Sequence, residues 1–139
     1  MRIEHANITV PDIDAAGDFL TTIFPDLEVM HEATAPTGVR WMHLGVGETY
    51  LALESPHDNT RSATLNPRYQ NYGINHLGLI VEDMDAAKAR LEAKGYREGH
   101  IPEVTPARIQ WYFYDSAGME WELVEYLSDD PAERYSYGA

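Results

Sequence analysis

The sequence predicts an α+β chain built from two tandem βαβββ modules. Three observations predict it. The chain repeats itself at an offset of 71 residues. Each repeat opens on an apolar strand followed by a capped helix. Each helix is then followed by a run of strands, which disfavours a parallel sheet made by regular βα alternation. At the offset of 71, Ile3-Glu4-His5-Ala6-Asn7-Ile8-Thr9-Val10 falls on Ile74-Asn75-His76-Leu77-Gly78-Leu79-Ile80-Val81. Over residues 3–20 there are 8 identities in 18 positions, and both histidines stay in register. The modules span 1–55 and 73–127, with a linker at 56–72 and a polar tail at 128–139, in one domain of 139 residues.

The elements follow in order. Residues 3–10 and 74–81 are rich in Ile, Val and Leu and read as strands. Asp12 and Asp83 cap the helices that follow, and Asp14 and Asp85 suit the positive helix ends. The first helix carries Ala16, Phe19, Leu20, Ile23 and Phe24 at helical spacing, and Pro25 stops it. The second carries Met84, Ala87 and Leu91 on one stripe, with Gly95 at the left-handed position after its end. Strands at about 27–32, 39–45 and 49–54 complete the first module. Strands at about 97–101, 108–114 and 119–126 complete the second. Gly45-Val46-Gly47-Glu48 and Asp115-Ser116-Ala117-Gly118 are the last hairpin turns. The tail reads as a frayed end in which Tyr135 and Tyr137 have the means to dock.

Composition removes whole classes of function. With 23 acidic and 10 basic residues, a formal charge of −13 repels phosphate backbones and anionic lipid. No nucleic-acid or membrane partner is expected. The same charge does not repel a metal cation. The absence of cysteine excludes disulfides, thiolate nucleophiles, zinc-thiolate sites and iron–sulfur clusters. No signal-like or spanning apolar run is visible, so a cytoplasmic protein is expected.

His5 and His76 stand on the matching first strands, and a late strand of each module carries a Glu, Glu54 and Glu122. The His-to-Glu spacings are 49 and 46. Taken singly, a strand histidine is usually packed and an edge glutamate usually solvated. Their repetition points to a divalent first-row metal held by two imidazoles and two carboxylates, if the modules pair about a pseudo-two-fold axis. By position relative to the closing turn, Gln110 and Tyr112 share a face with Glu122 and Val124, while Trp111, Phe113 and Trp121 face the helices. Gln110 and Tyr112 are therefore the substrate-wall candidates. Arg40 and Arg108 are candidates to hold an anionic substrate. His31, His43, His57 and His100 have no such pairing and read as surface or core residues.

These residues resemble the vicinal oxygen chelate superfamily of glyoxalase I, extradiol dioxygenases and bleomycin-resistance proteins. The resemblance covers residues 3–127 and rests on the paired modules, IEHANITV, INHLGLIV and the closing DSAGMEWELVEY. In that last segment Ser116 and Ala117 replace the Pro and Asp of the family turn. The resemblance implies a cup-shaped mixed sheet with helices outside, a homodimer and a small-molecule substrate chelated through vicinal oxygens. It carries the family's ligands to His5, Glu54, His76 and Glu122, with Glu54 or Glu122 also shuttling a proton. The activity implied is a glyoxalase-like lyase or isomerase using Ni, Co or Zn. An Fe(II) extradiol-type dioxygenase would need only His5, His76 and Glu122. A metal-free bleomycin-resistance-like binding protein is the third alternative.

Overall fold

The computed structural model describes residues 4–58, 60 and 76–135. The chain divides into two compact units, Met1–Asn75 and His76–Ala139. The linker expected at 56–72 and Tyr137 lie largely or wholly outside the described residues. The α+β class holds: each unit is one mixed sheet with a helix packed against it.

In the first unit, β1 (His5–Thr9), β2 (Glu28–Thr34), β3 (Arg40–Val46) and β4 (Thr49–Glu54) form a sheet of order β1-β4-β3-β2. Only β1 and β4 run parallel, because α1 (Ile13–Ile23) carries the chain across from β1. Asp12 caps α1, its carboxylate accepting from the Asp14 and Ala15 N–H groups at 3.0 Å. The helix buries Ile13, Ala16, Phe19, Leu20 and Ile23, and β3 and β4 bury Met42, Leu44 and Leu53 beside it. Period-two alternation leaves His5, Asn7, Thr9, Tyr50, Ala52, Glu54, Trp41 and His43 on the other face.

The second unit repeats the plan. β5 (Gly78–Ile80), β6 (Arg97–Glu98), β7 (Glu103–Val104), β8 (Arg108–Tyr114) and β9 (Glu120–Tyr126) form a sheet of order β5-β9-β8-β6, with β7 also on β8. α2 (Met84–Ala93) is capped by Asp83 and buries Met84, Ala87 and Leu91. Phe113, Trp121 and Leu123 are fully buried. Trp111 lies under the Lys88 ammonium at 3.4 Å. Glu125 fixes the entry of α2 by accepting the Met84 N–H at 2.8 Å.

Two expectations need correction. The strand expected at 97–101 is interrupted after Glu98. Gly99 still donates to the Tyr112 carbonyl at 2.7 Å, but His100 turns onto Glu120 and Pro102 has no N–H to give the ladder. The tail is not frayed throughout. Asp130 caps a short helix, α3 (Pro131–Arg134), and Tyr135 and Arg134 both meet the Tyr126 ring. The Arg134 carbonyl accepts from buried Arg108 at 3.1 Å. No helix among the described residues is long and apolar enough to cross a membrane.

The turn before β9 gives a first prediction. Asp115 is buried and accepts from Ala117 N–H, Met119 N–H and the Trp121 indole at 3.0, 2.9 and 3.2 Å. Asp115→Ala leaves these donors without their acceptor, so urea denaturation is expected to show a loss of about 1–3 kcal/mol. A loss below about 0.5 kcal/mol would show that water replaces the carboxylate.

Candidate metal centre

The second unit brings two of the four expected ligands into contact. Glu122 lies opposite Gly78 in the parallel β5–β9 register, two residues beyond His76. The His76 Nε2–H donates to Glu122 Oε2 at 2.8 Å. The Glu122 side chain is 6% exposed. Its second oxygen, Oε1, accepts from Gln110 Nε2 at 2.6 Å. Gly78 lies beside the carboxylate: a Cβ there would be in ordinary contact with Glu122 Oε2 at 3.4 Å. Tyr112, opposite Glu122, sets its ring edge-on to His76 at 6.0 Å. Gln110 and Tyr112 thus share the open face with Glu122 and Val124.

The first unit treats His5 differently. Its Nδ1 lies 2.5 Å from Glu4 Oε2, and the Tyr50 hydroxyl donates to Glu4 Oε1 at 3.1 Å. The His5 and Tyr50 rings stack at 4.9 Å. A carboxylate only accepts, so the ring proton sits on Nδ1 and the lone pair on Nε2. This is how a carboxylate orients a metal-binding histidine. The His5 hydrogen bond, then that of Tyr50, hold the Glu4 carboxyl below its usual range. Desolvation, then Glu4, push the Tyr50 hydroxyl up.

Glu54 does not match Glu122. Tyr50 lies opposite His5 and Ala52 opposite Asn7, so the place equivalent to Glu122 is occupied by Ala52. Glu54 lies opposite Thr9, four residues past the partner of His5, about 13 Å along the strand. Two ligand atoms on one ion with bonds of 2.0–2.2 Å lie no more than about 4.4 Å apart. The Glu54 carboxylate instead meets His57 Nε2 at 3.2 Å. Glu54 stands two residues beyond the place of Ala52 on the same face, an offset that the spacings of 49 and 46 do not encode because they also contain the loop lengths.

Among the described residues, no three His, Asp or Glu side chains converge as a metal cluster. The donors present still fit one. His76 Nδ1 is buried and has no hydrogen-bond partner among the described residues. The 2.8 Å between His76 Nε2 and Glu122 Oε2 is close to the separation of about 3 Å expected of two adjacent ligands on one ion.

Other expected residues take structural roles. Arg40 forms ion pairs with Asp14 at 2.8 Å and Glu32 at 2.6 Å, and its hydrogen bond holds the Asp14 carboxyl below its usual range. It is not placed to hold a substrate anion. His43 sets its ring at a tilt against those of Trp41 and Tyr50, at 5.1 and 4.6 Å. His100, expected as a surface or core residue, pairs with buried Glu120. Glu120 alternates with Glu122 on one strand, a period-two signal that was legible in EWELVEY.

A sequence profile described as the Glyoxalase/Bleomycin resistance protein/Dioxygenase superfamily matches residues 4–114. The chain belongs to this superfamily. A relative from an Actinomyces species, a 2-epi-5-epi-valiolone epimerase, is 30% identical over 158 aligned residues, covering 96% of this chain and 84% of that protein. Among solved structures, a glyoxalase family protein from Bacillus cereus superposes with a TM-score of 0.72 at 19% identity, over 92% of this chain and 95% of that one. A fosfomycin resistance protein from Listeria monocytogenes does so with a TM-score of 0.66 at 20% identity, over 96% and 97%. These structural likenesses support the superfamily fold. They carry no activity.

Proposed function

We propose that the chain is a metal-dependent isomerase of the superfamily, moving a proton at a carbon beside the carbonyl of a small polyhydroxylated ketone. His76, Glu122 and His5 are the proposed metal ligands, and Gln110 and Tyr112 line the substrate. The observation that carries the reading is the His76–Glu122 contact, a buried carboxylate and an imidazole meeting through the atoms that bind metals. The epimerase relative supports proton transfer. The three ligands follow the resemblance, which also implies a homodimer.

A divalent metal, with Ni, Co or Zn suited to these donors, supplies a Lewis acid for the charge that grows on the substrate oxygen. The protein residues do the rest. Gln110 pins the Glu122 carboxylate, and Glu4 and Tyr50 fix the tautomer and tilt of His5. Tyr112 places its ring on the same face, perpendicular to that of His76. With Oε1 held by Gln110 and Oε2 given to the metal, Glu122 is not the group proposed to remove the substrate proton.

The test is metal analysis of untagged protein together with NMR of 2-epi-5-epi-valiolone in D2O. About one equivalent of metal with deuterium entering beside the carbonyl supports the reading; a metal-free protein that binds no added Ni, Co, Zn or Fe overturns it. One observation favours a second reading. With Ala52 in place of a fourth ligand, the set His5, His76 and Glu122 is the two-histidine, one-carboxylate pattern of an Fe(II) dioxygenase. Bound iron with oxygen uptake on a catechol would select it. Either way, Glu54→Gln is expected to keep the full metal equivalent, read by elemental analysis. Loss of the metal in that variant would restore Glu54 to the ligand set.

A further inference from the structure

The open face of the second sheet holds another carboxylate–imidazole pair. Glu120 lies two residues from Glu122 on the same face of β9, and its side chain is 5% exposed. Its Oε1 accepts twice from one residue, from the His100 backbone N–H at 3.1 Å and from His100 Nδ1 at 2.5 Å. The His100 side chain is 56% exposed. Tyr112 stands between the two pairs, its ring edge-on to His76 at 6.0 Å and to His100 at 5.7 Å.

The chain is shaped around this contact. At Gly99 a Cβ would stand 2.5 Å from Glu120 Oε1 and 3.1 Å from the Tyr112 Cβ, so any side chain there displaces the carboxylate. Burying a carboxylate is costly, and a position that only needed filling is better served by an apolar residue. Because the carboxylate only accepts, Nδ1 carries the ring proton and Nε2 is the proton-accepting nitrogen. A buried acid holding an exposed imidazole in one tautomer is the arrangement of a general base with its orienting group.

We propose that His100 removes the substrate proton, with Glu120 as its positioning residue, for a ketone held at His76 and Glu122. The inference rests on the function proposed above. In the step, the C–H bond beside the carbonyl breaks and Nε2 takes the proton. The electron pair forms the enolate C=C, and the carbonyl oxygen takes the charge. Return of a proton from His100 exchanges the hydrogen with solvent and keeps the configuration. Inversion requires delivery to the opposite face by a different group.

The test uses metal-loaded full-length protein and 2-epi-5-epi-valiolone in D2O, with metal content measured for every variant. His100→Gln and Glu120→Gln are expected to keep one metal equivalent and to slow deuterium entry on the order of 10²–10⁴-fold, in kcat rather than KM. Gly99→Ala is expected to follow Glu120→Gln. His100→Gly is expected to regain exchange on addition of imidazole, which a structural role would not produce. Long-range ¹H–¹⁵N spectra, which need no substrate, are expected to show His100 protonated on Nδ1 in the wild type and to lose that preference in Glu120→Gln. Exchange at the wild-type rate in His100→Gln with its metal intact overturns the inference and leaves the metal site standing. Loss of the metal in His100→Gln also overturns it, by showing that His100 serves assembly of the site. A wild type that binds no metal and exchanges no hydrogen removes the proposed function itself.

Discussion

Replacing His76 by alanine is expected to abolish stoichiometric metal binding and to lower turnover on the order of 10²–10³-fold or more, the scale on which lost stabilisation of a developing oxygen charge is felt. The same is expected of Glu122→Ala. The two act through one contact, 2.8 Å long and buried on the carboxylate side, so the double variant should be little worse than either single one. Glu122→Gln is the sharper probe. It keeps the volume and can still meet His76 and Gln110, but it lacks the charge a divalent cation needs. Elemental analysis and a competition titration with a chromogenic chelator read the metal directly. Either single variant retaining one tight equivalent would remove the pair from the metal centre and leave it as a buried structural ion pair.

Trp121→Ala is expected to cost about 3–5 kcal/mol, the range for truncating a fully buried aromatic residue. Trp121 is fully buried and its indole N–H satisfies Asp115 at 3.2 Å. The substitution therefore opens a cavity and also removes a donor from a buried carboxylate. Urea denaturation followed by far-UV circular dichroism measures it, and Trp121→Phe, which keeps most of the volume, should cost markedly less. Equal losses would assign the effect to the Asp115 hydrogen bond rather than to packing. Trp121 shares β9 with Glu120 and Glu122 but points to the opposite face, so metal affinity in the folded fraction of Trp121→Phe should hold.

Much of this architecture is local and was legible in the residues. Asp12 and Asp83 announce helix starts because a carboxylate before a helix satisfies free N–H groups, and both do so here. Gly95 and Gly118 adopt φ of 78° and 88°, where a Cβ is strained, Gly95 after the end of α2 and Gly118 in the last hairpin turn, as their sequence positions implied. Alternation along RIQWYFY and EWELVEY placed Gln110 and Tyr112 on the face of Glu122, since strand side chains have a period of two whatever the partner. The break at 99–102 was less legible. It arises from a contact of His100 with Glu120 across 20 residues, which no local pattern encodes.

The amino-acid sequence by itself determined that the chain is two copies of one βαβββ pattern, that it has no thiol chemistry, and that His5 and His76 hold matching places. These follow from repetition, composition and periodicity, which do not depend on what packs against what. Only the tertiary structure decided which glutamate answers which histidine. Facing residues in a parallel pair are set by how far one strand slides along the other. That slide places Glu122 beside His76, and Ala52, not Glu54, at the matching place in the first unit. It also set His100 on Glu120, because a buried carboxylate takes the donor that the folded backbone brings within reach.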